Sequence, residues 1–190
     1  MEEIIRVGHN RLPVLIGPNG SVKREIQRKT KTKIDIDSHL GEVTISSDQS
    51  FFEVYTAKNI ISAIARGFSP ENAYNLLKDD YILEIVSLED YVKNTKQRHT
   101  QIKGRVIGRE GRIKKLIESK FNCILSVYGK TVSIIGNEDS VKDAREAVEK
   151  ILAGAKHSTV IKSIKRASLL EGYKEVLEEE KIDDIDFSEE

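Results

Sequence analysis

An internal repeat limits the folds that this chain can adopt. Ile16 aligns with Ile107, 91 residues later, and the segment GPNG at 17–20 then aligns with GREG at 108–111. The same offset matches three further pairs of identical residues: Lys23 with Lys114, Ile26 with Ile117, and Lys29 with Lys120. Because self-similarity at a fixed offset indicates a repeated structural unit, the 190 residues are predicted to form two small, similar domains.

Both copies give the same order of predicted elements, β-α-α-β-β-α, which places the chain in the α+β class. Strands are predicted where apolar and polar residues alternate, and helices where apolar residues recur every three to four positions. In the first copy the predicted elements are Glu3–Val7, Pro13–Ile16, Ser21–Thr30, Lys33–Asp37, Val43–Ser46 and a helix whose inward stripe is Phe51, Val54, Ala57, Ile61, Ile64 and Ala65. In the second copy they are Tyr81–Leu88, Thr95–Ile107, Arg112–Lys120, Cys123–Val127, Thr131–Ile135 and a helix capped by Asn137.

The two copies also set the predicted domain organisation. It comprises a first domain at 1–70, a linker at 71–80, a second domain at 81–155, an additional C-terminal helix at 156–178 and an acidic tail at 179–190. The additional helix is predicted from apolar residues at helical spacing, among them Val160 and Ile164. The tail is expected to be disordered. Helical spacing within the linker, at Ala73–Leu77, favours domains that pack against each other.

Charge is unevenly distributed along the chain, although the formal net charge is zero. Residues 178–190 hold eight acidic residues and one lysine. In contrast, residues 95–115 hold eight Lys or Arg and one Glu, and residues 21–33 hold six Lys or Arg and one Glu. Since each basic block surrounds or adjoins a glycine pair, both glycine segments are expected to attract an anion.

A G-x-x-G turn between two helices presents backbone N–H groups beside a helix N-terminus, where an anion is stabilised. Glycine leaves room for a ligand to approach the backbone, and the neighbouring cations favour a nucleic-acid phosphate. The predicted binding residues of the first copy are Ile16, Gly17, Pro18, Asn19, Gly20, Lys23 and Arg24. Those of the second copy are Ile107, Gly108, Arg109, Glu110, Gly111, Arg112, Lys114 and Lys115.

An apolar floor for the bases is predicted beside each turn, because few aromatic residues are near enough for stacking to dominate recognition. In the first copy the floor residues are Ile16, Val22, Ile26, Ile34 and Ile36. In the second copy they are Ile107, Ile113, Ile117, Leu125 and Val127.

Other kinds of site fit the sequence less well. A lone G-x-x-G also forms tight helix corners, but two copies in matching units favour binding. The glycine spacing differs from that of a dinucleotide loop, and neither copy ends in the G-K-[ST] of a triphosphate loop. The four histidines show no metal or triad spacing. Asp35 and Asp37 alternate with isoleucine, as surface charges on a strand do. No catalytic residue, metal or cofactor is therefore predicted.

Cysteine and hydropathy indicate the compartment. Cys123 is the only cysteine, so an intrachain disulfide is impossible, and a reducing, cytoplasmic setting is expected. A buried core position is predicted for this thiol. No apolar run approaches the roughly 20 residues of a membrane-spanning helix.

The sequence resembles the KH family of single-stranded RNA-binding domains. IGPNG and IGREG stand where KH domains place the G-x-x-G loop that clamps about four nucleotides, and β-α-α-β-β-α is the eukaryotic-type arrangement. More narrowly, GRVIGREGRIKKLIE, VYGKTVSIIG and IKRASLLEG resemble the second domain of the archaeal Krr/Pno/Dim group of tandem KH ribosomal RNA-processing proteins. The resemblance covers residues 1 to about 177, which leaves out the acidic tail.

The resemblance implies a non-enzymatic factor that binds the 3′ region of small-subunit ribosomal RNA during maturation and recruits or guides processing factors. It implies two protein partners, the endonuclease that trims this 3′ end and a translation initiation factor subunit, and no membrane. Pro18 and Asn19 add no charge, so the second domain is expected to contribute more, although Glu110 puts an acid beside the expected phosphate. Aspartates at Gly108 and Gly111 are expected to abolish RNA binding and leave the fold intact.

Two alternatives share the same fold. The chain could be a protein-interaction scaffold whose KH units have lost RNA affinity, but intact glycines in both loops argue against this. It could also bind messenger RNA or exosome-associated RNA in place of ribosomal RNA. The sequence separates these targets poorly.

Overall fold

A computed structural model of the chain describes residues 1–48, 50–92 and 96–164. The first six elements follow the predicted order β-α-α-β-β-α. They are β1 (Glu2–Arg6), α1 (Leu12–Ile16), α2 (Ser21–Thr30), β2 (Lys33–Asp37), β3 (Glu42–Ser46) and α3 (Phe51–Ala65). A short helix, α4 (Pro70–Ala73), and a 3₁₀ turn at Tyr74–Leu77 connect this unit to the next.

The second unit repeats this arrangement. Its elements are β4 (Tyr81–Ser87), α5 (Lys96–Ile107), α6 (Arg112–Phe121), β5 (Ile124–Tyr128), β6 (Thr131–Asn137) and α7 (Glu138–Leu152). A further helix, α8, runs from 157 to 164, where the described residues end. The remainder of the predicted C-terminal helix, the acidic tail and the predicted helix start at Thr95 lie outside the described residues.

Each unit contains a three-stranded antiparallel sheet with its third strand in the centre, in the order β1-β3-β2 and β4-β6-β5. Alternation explains the first sheet, because Ile34 is 1% exposed while its neighbours Lys33 and Asp35 are exposed. Capping explains a helix start: the side-chain oxygen of Asn137 accepts a hydrogen bond of 2.9 Å from the N–H of Ser140, which confirms the predicted cap.

Helices cover one face of each sheet and form two hydrophobic cores with it. Leu15, Ile26, Val43 and Ile61 belong to the first core. The second core contains Ile117, Ile134 and Val148, among others. The fold is therefore α+β, as predicted.

One residue of the predicted helix stripe does not point inward. Phe51 is 58% exposed, and its ring stacks on that of Tyr55 with centroids 6.2 Å apart. It lies in the first turn of α3, next to the exposed Phe52, whereas the buried face of this helix begins at Val54. The stripe prediction was wrong at this position because residue 51 lies at the margin of the inward face.

The two units share buried side chains. Ile135 of β6 is fully buried in the core of the first unit, and Tyr81, Leu83 and Ile124 pack against that core from the same second sheet. Because neighbouring strand residues point to opposite faces, Ile134 meets its own helices while Ile135 meets the first unit. The outer face of the second sheet is thus an interdomain contact.

Polar contacts support the same interface. Ser126 Oγ donates a hydrogen bond of 2.8 Å to the carbonyl of Arg66. The Arg11 guanidinium donates to the carbonyls of Ile64 and Phe68, near the end of α3, and lies 5.6 Å from the Tyr128 ring centroid. The segment between the units also packs, since Ala73 and Leu76 are buried in the first core.

The C-terminal additions close the second core. Val160 and Ile164 of α8 are 2% and 4% exposed and pack into it. In the part of the chain that the structure describes, no helix is long and apolar enough to cross a membrane.

The single thiol gives a simple test of the second core. Cys123 is 6% exposed, as predicted, and burial, followed by the charge of Glu118, raises its pKa to about 12. Since the thiolate is the reactive form, we expect a thiol reagent to label the native protein at least about a hundredfold more slowly than the urea-unfolded chain. Stopped-flow labelling measures both rates, and fast native labelling would contradict this burial.

Candidate nucleic-acid interface

The two G-x-x-G loops have the same backbone conformation. In each loop the first, third and fourth residues have positive φ. At the first position the φ and ψ angles are 70° and 174° in Gly17 and 74° and 173° in Gly108. At the third position they are 51° and 27° in Asn19 and 54° and 25° in Glu110. At the fourth position they are 75° and 19° in Gly20 and 73° and 13° in Gly111. The repeat seen in the sequence is therefore a repeat of local geometry.

The first glycine of each loop is required by packing. A Cβ atom on Gly17 would lie 2.5 Å from Cγ2 of Val22, and one on Gly108 would lie 2.5 Å from Cγ1 of Ile113. Any residue with a side chain at either position would also need a positive backbone φ, which L-amino acids other than glycine rarely adopt. The helix after the loop thus packs directly against this glycine.

The last glycine of each loop meets open space. The nearest atom to a Cβ on Gly20 would be Nη1 of Arg24, at 3.5 Å, and for Gly111 it would be Cε of Lys115, at 4.0 Å. Both glycines are left-handed caps at the N-termini of α2 and α6. A cationic side chain therefore lies beside a helix end that already favours an anion.

Both loops are accessible from solvent. Pro18, Asn19, Arg109 and Glu110 are exposed, and the four loop glycines are half-buried. Pro18 has no N–H group, whereas Arg109 has one. The second loop consequently offers one more backbone donor as well as a cation at the same position.

The cations of the second loop are not equivalent. Arg112 Nη2 lies 2.8 Å from Oε2 of Glu110, and Lys114 Nζ lies 3.6 Å from Oε1 of Glu118. Within residues 1–48, 50–92 and 96–164, Arg109 and Lys115 have no ion-pair partner. These two side chains carry the uncompensated positive charge of this loop.

The helix that follows the first loop borders a groove with an acidic wall. Lys23 lines it together with Asp35, Ile36, Asp37, Ser38, His39 and Thr44. The N–H groups of Leu40 and His39 donate to Asp37 Oδ1, at 3.0 and 2.8 Å, and hold the pKa of that carboxyl below its usual value. At the 91-residue offset, Ser126 and Tyr128 replace the two aspartates. These two uncharged residues contact the first unit, so the acidic wall has no counterpart in the second unit.

The predicted apolar floors are smaller in the structure. Ile26, Ile34, Ile117 and Leu125 are at most 2% exposed, so they belong to the cores and cannot contact a base. Strand alternation turns Ile34 and Leu125 inward, and Ile26 and Ile117 lie on the buried faces of α2 and α6. Of the predicted floors, the residues that remain partly or largely exposed are Ile16, Val22 and Ile36 in the first unit, and Ile107, Ile113 and Val127 in the second.

Sequence reasoning missed the interdomain residues. The units are joined along β5, which packs against α5 and α6, by Arg11, Arg66, Ser126 and Tyr128. The sequence signal for this interdomain contact was the change from two aspartates in the first copy to Ser126 and Tyr128 in the second. Among the described residues, no three metal-ligating side chains come together.

Comparison with known proteins agrees with this geometry, which is that of two type I KH domains in tandem. A family profile described as "Eukaryotic type KH-domain (KH-domain type I)" matches residues 82–169, and a "KH domain" profile matches residues 2–63. A KH domain-containing protein of Methanocaldococcus jannaschii is 41% identical over 167 residues, which cover 86% of this chain and 73% of the relative.

Solved structures extend the similarity. Dim2p from Pyrococcus horikoshii is 42% identical with a TM-score of 0.81, over 87% of this chain and 99% of that one. The same organism provides a complex of a/eIF2alpha, aDim2p and rRNA, in which the matched chain is 42% identical with a TM-score of 0.82, over 88% and 93% of the two chains. The chain belongs to the archaeal family of tandem KH-domain ribosomal RNA-processing proteins that includes Dim2p. It is thus an RNA-binding KH protein.

Proposed function

We propose that this chain binds single-stranded small-subunit ribosomal RNA near its 3′ end during maturation, and that it recruits or guides processing factors there. The observation that carries the proposal is the duplicated loop, which sets exposed backbone and cations at a helix N-terminus twice. The crystallised complex of a relative that is 42% identical contains rRNA, which supports this target.

The second loop is the stronger RNA site in this proposal. Arg109 and Lys115 supply positive charge without an ion-pair partner among the described residues, and the strand beside the loop carries Ser126 and Tyr128. In the first domain Asp35 and Asp37 face the same groove as Lys23. Because two carboxylates repel a phosphate backbone, the first groove is expected to bind RNA more weakly.

Two protein partners accompany the RNA in this proposal. The initiation factor subunit is supported by the complex of a/eIF2alpha with aDim2p. The endonuclease that trims the 3′ end is inferred from the group resemblance. Affinity purification from cells with and without ribonuclease treatment tests whether each partner contacts the protein or only the shared RNA.

Crosslinking in cells, followed by sequencing of the attached RNA, tests the target. We expect reads to concentrate near the 3′ end of small-subunit ribosomal RNA. Reads spread over messenger RNA, with none at this end, would contradict the proposed target and favour a general KH RNA binder.

The ion pairs predict unequal effects of the cations on RNA binding. Removing Arg109 or Lys115 by alanine substitution is expected to weaken binding about three- to tenfold and to lower the slope of log Kd against log salt by nearly one. Lys114→Ala is the matched control, because Glu118 already compensates this cation at 3.6 Å. Fluorescence anisotropy across a salt series measures both quantities, and equal slopes for all three variants would contradict the assignment.

A further inference from the structure

Glu110 is an unusual residue for its position in the second loop. Its φ and ψ angles of 54° and 25° are left-handed, a conformation that costs less for asparagine than for glutamate. The first loop has Asn19 there, with angles of 51° and 27°. An acid in a proposed phosphate site therefore replaces a neutral residue that suits the same backbone better.

The Glu110 carboxylate forms an ion pair with one of the cations of the loop. Its Oε2 accepts a hydrogen bond of 2.8 Å from Nη2 of Arg112, the first residue of α6. The two side chains are 69% and 71% exposed, so this ion pair is weak and can open. A carboxylate at this helix end is also stabilised by the helix dipole, as a phosphate would be.

We propose that Glu110 is a built-in competitor of the RNA phosphate. In the free protein its carboxylate holds Arg112, and an incoming phosphate must displace it before Arg112 can contact RNA. The second loop consequently binds RNA more weakly, and releases it more readily, than its cations alone would allow. This inference rests on the proposed function, since it requires a phosphate at the loop.

Glu110→Asn copies the first loop and tests the competitor directly. With a short unstructured oligouridine as probe, we expect this variant to bind about three- to tenfold more tightly than the parent at low salt, with a steeper salt dependence. Glu118→Gln is the matched control, because it neutralises the other acid that pairs with a cation of α6 and keeps an oxygen for the Leu125 N–H. Its effect is expected to be smaller. The reciprocal change, Asn19→Glu, is expected to weaken binding.

A double-mutant cycle separates competition from simple repulsion. If Glu110 acts by holding Arg112, the gain from Glu110→Asn shrinks when Arg112 is alanine. An undiminished gain in that background would overturn the assignment, as would equal or weaker binding by Glu110→Asn in the native background. Thermal melts show whether each variant is folded. If neither the parent nor Glu110→Asn binds the probe although both are folded, the proposed RNA site fails and this inference fails with it.

Discussion

Replacing Gly111 with aspartate is expected to lower the affinity for single-stranded RNA by about tenfold or more, with the protein still folded. A side chain at Gly111 enters open space, since its Cβ would approach nothing closer than Lys115 Cε at 4.0 Å. The backbone is left-handed with φ of 73°, which aspartate tolerates better than most residues. The main effect is therefore a negative charge placed where the phosphate is proposed to bind.

Gly111→Asn is the control for this experiment, because it has the same shape and backbone preference without the charge. We expect its affinity to stay within about threefold of the parent, as measured by fluorescence anisotropy. Equal losses for the Asp and Asn variants would show a steric or backbone effect. No loss in either would contradict a phosphate at this loop.

The companion substitution at Gly108 is a poor test of binding. A Cβ there would lie 2.5 Å from Ile113 Cγ1 and 3.0 Å from the Ile113 backbone nitrogen. Aspartates at both Gly108 and Gly111 are therefore expected to distort the start of α6, contrary to the expectation from the sequence that the fold stays intact. Gly20→Asp with Gly20→Asn repeats the clean comparison in the first loop, where a smaller loss is expected.

Ile135→Ala is expected to reduce the free energy of unfolding by about 2–5 kcal/mol and to loosen the first domain, although the residue belongs to the second. Ile135 is fully buried in the first core, so truncation leaves a cavity between the units. Exchange of backbone amides in α3 and α4 should become faster, because β4 and β6 contact the 3₁₀ turn at Tyr74–Leu77, and this turn contacts both helices.

Ile134→Ala is the matched control in the same strand. This residue is equally buried but lies in the second core. A similar loss of stability is expected, with faster exchange in α5 and α7 in place of α3 and α4. Urea unfolding with hydrogen exchange detected by mass spectrometry measures both. Unchanged protection of α3 in Ile135→Ala would show that the interface does not stabilise the first domain.

The sequence predicted the elements well because short amphipathic segments dominate this fold. β3 alternates in burial along Glu42–Ser46, and its pattern is readable from its side chains alone. β6 differs, since Thr131–Gly136 are all buried and the adjacent Ile134 and Ile135 enter different cores. Two neighbouring isoleucines indicate burial on both faces, but they do not reveal that the second face meets the other domain.

The loops were predictable as a pair, and the side-chain details around them were not. Matching glycines at a fixed offset locate both turns, because only a few residue types allow their backbone. The pairing of Arg112 with Glu110 depends on a left-handed residue that turns its carboxylate back toward α6. The spacing of apolar residues along the sequence does not predict such a contact. It also does not distinguish floor residues such as Ile16 from core residues such as Ile26.

The burial of Ile135, a residue of the second sheet, in the first core has a consequence for RNA selection. Domains joined only by a flexible tether would accept bound segments at almost any separation. Here Ile135, Ser126 and Arg11 hold the units together, so the distance from one loop to the other is set by protein packing. If one RNA strand binds both loops as proposed, this fixed distance would select strands by the number of nucleotides between the two bound segments.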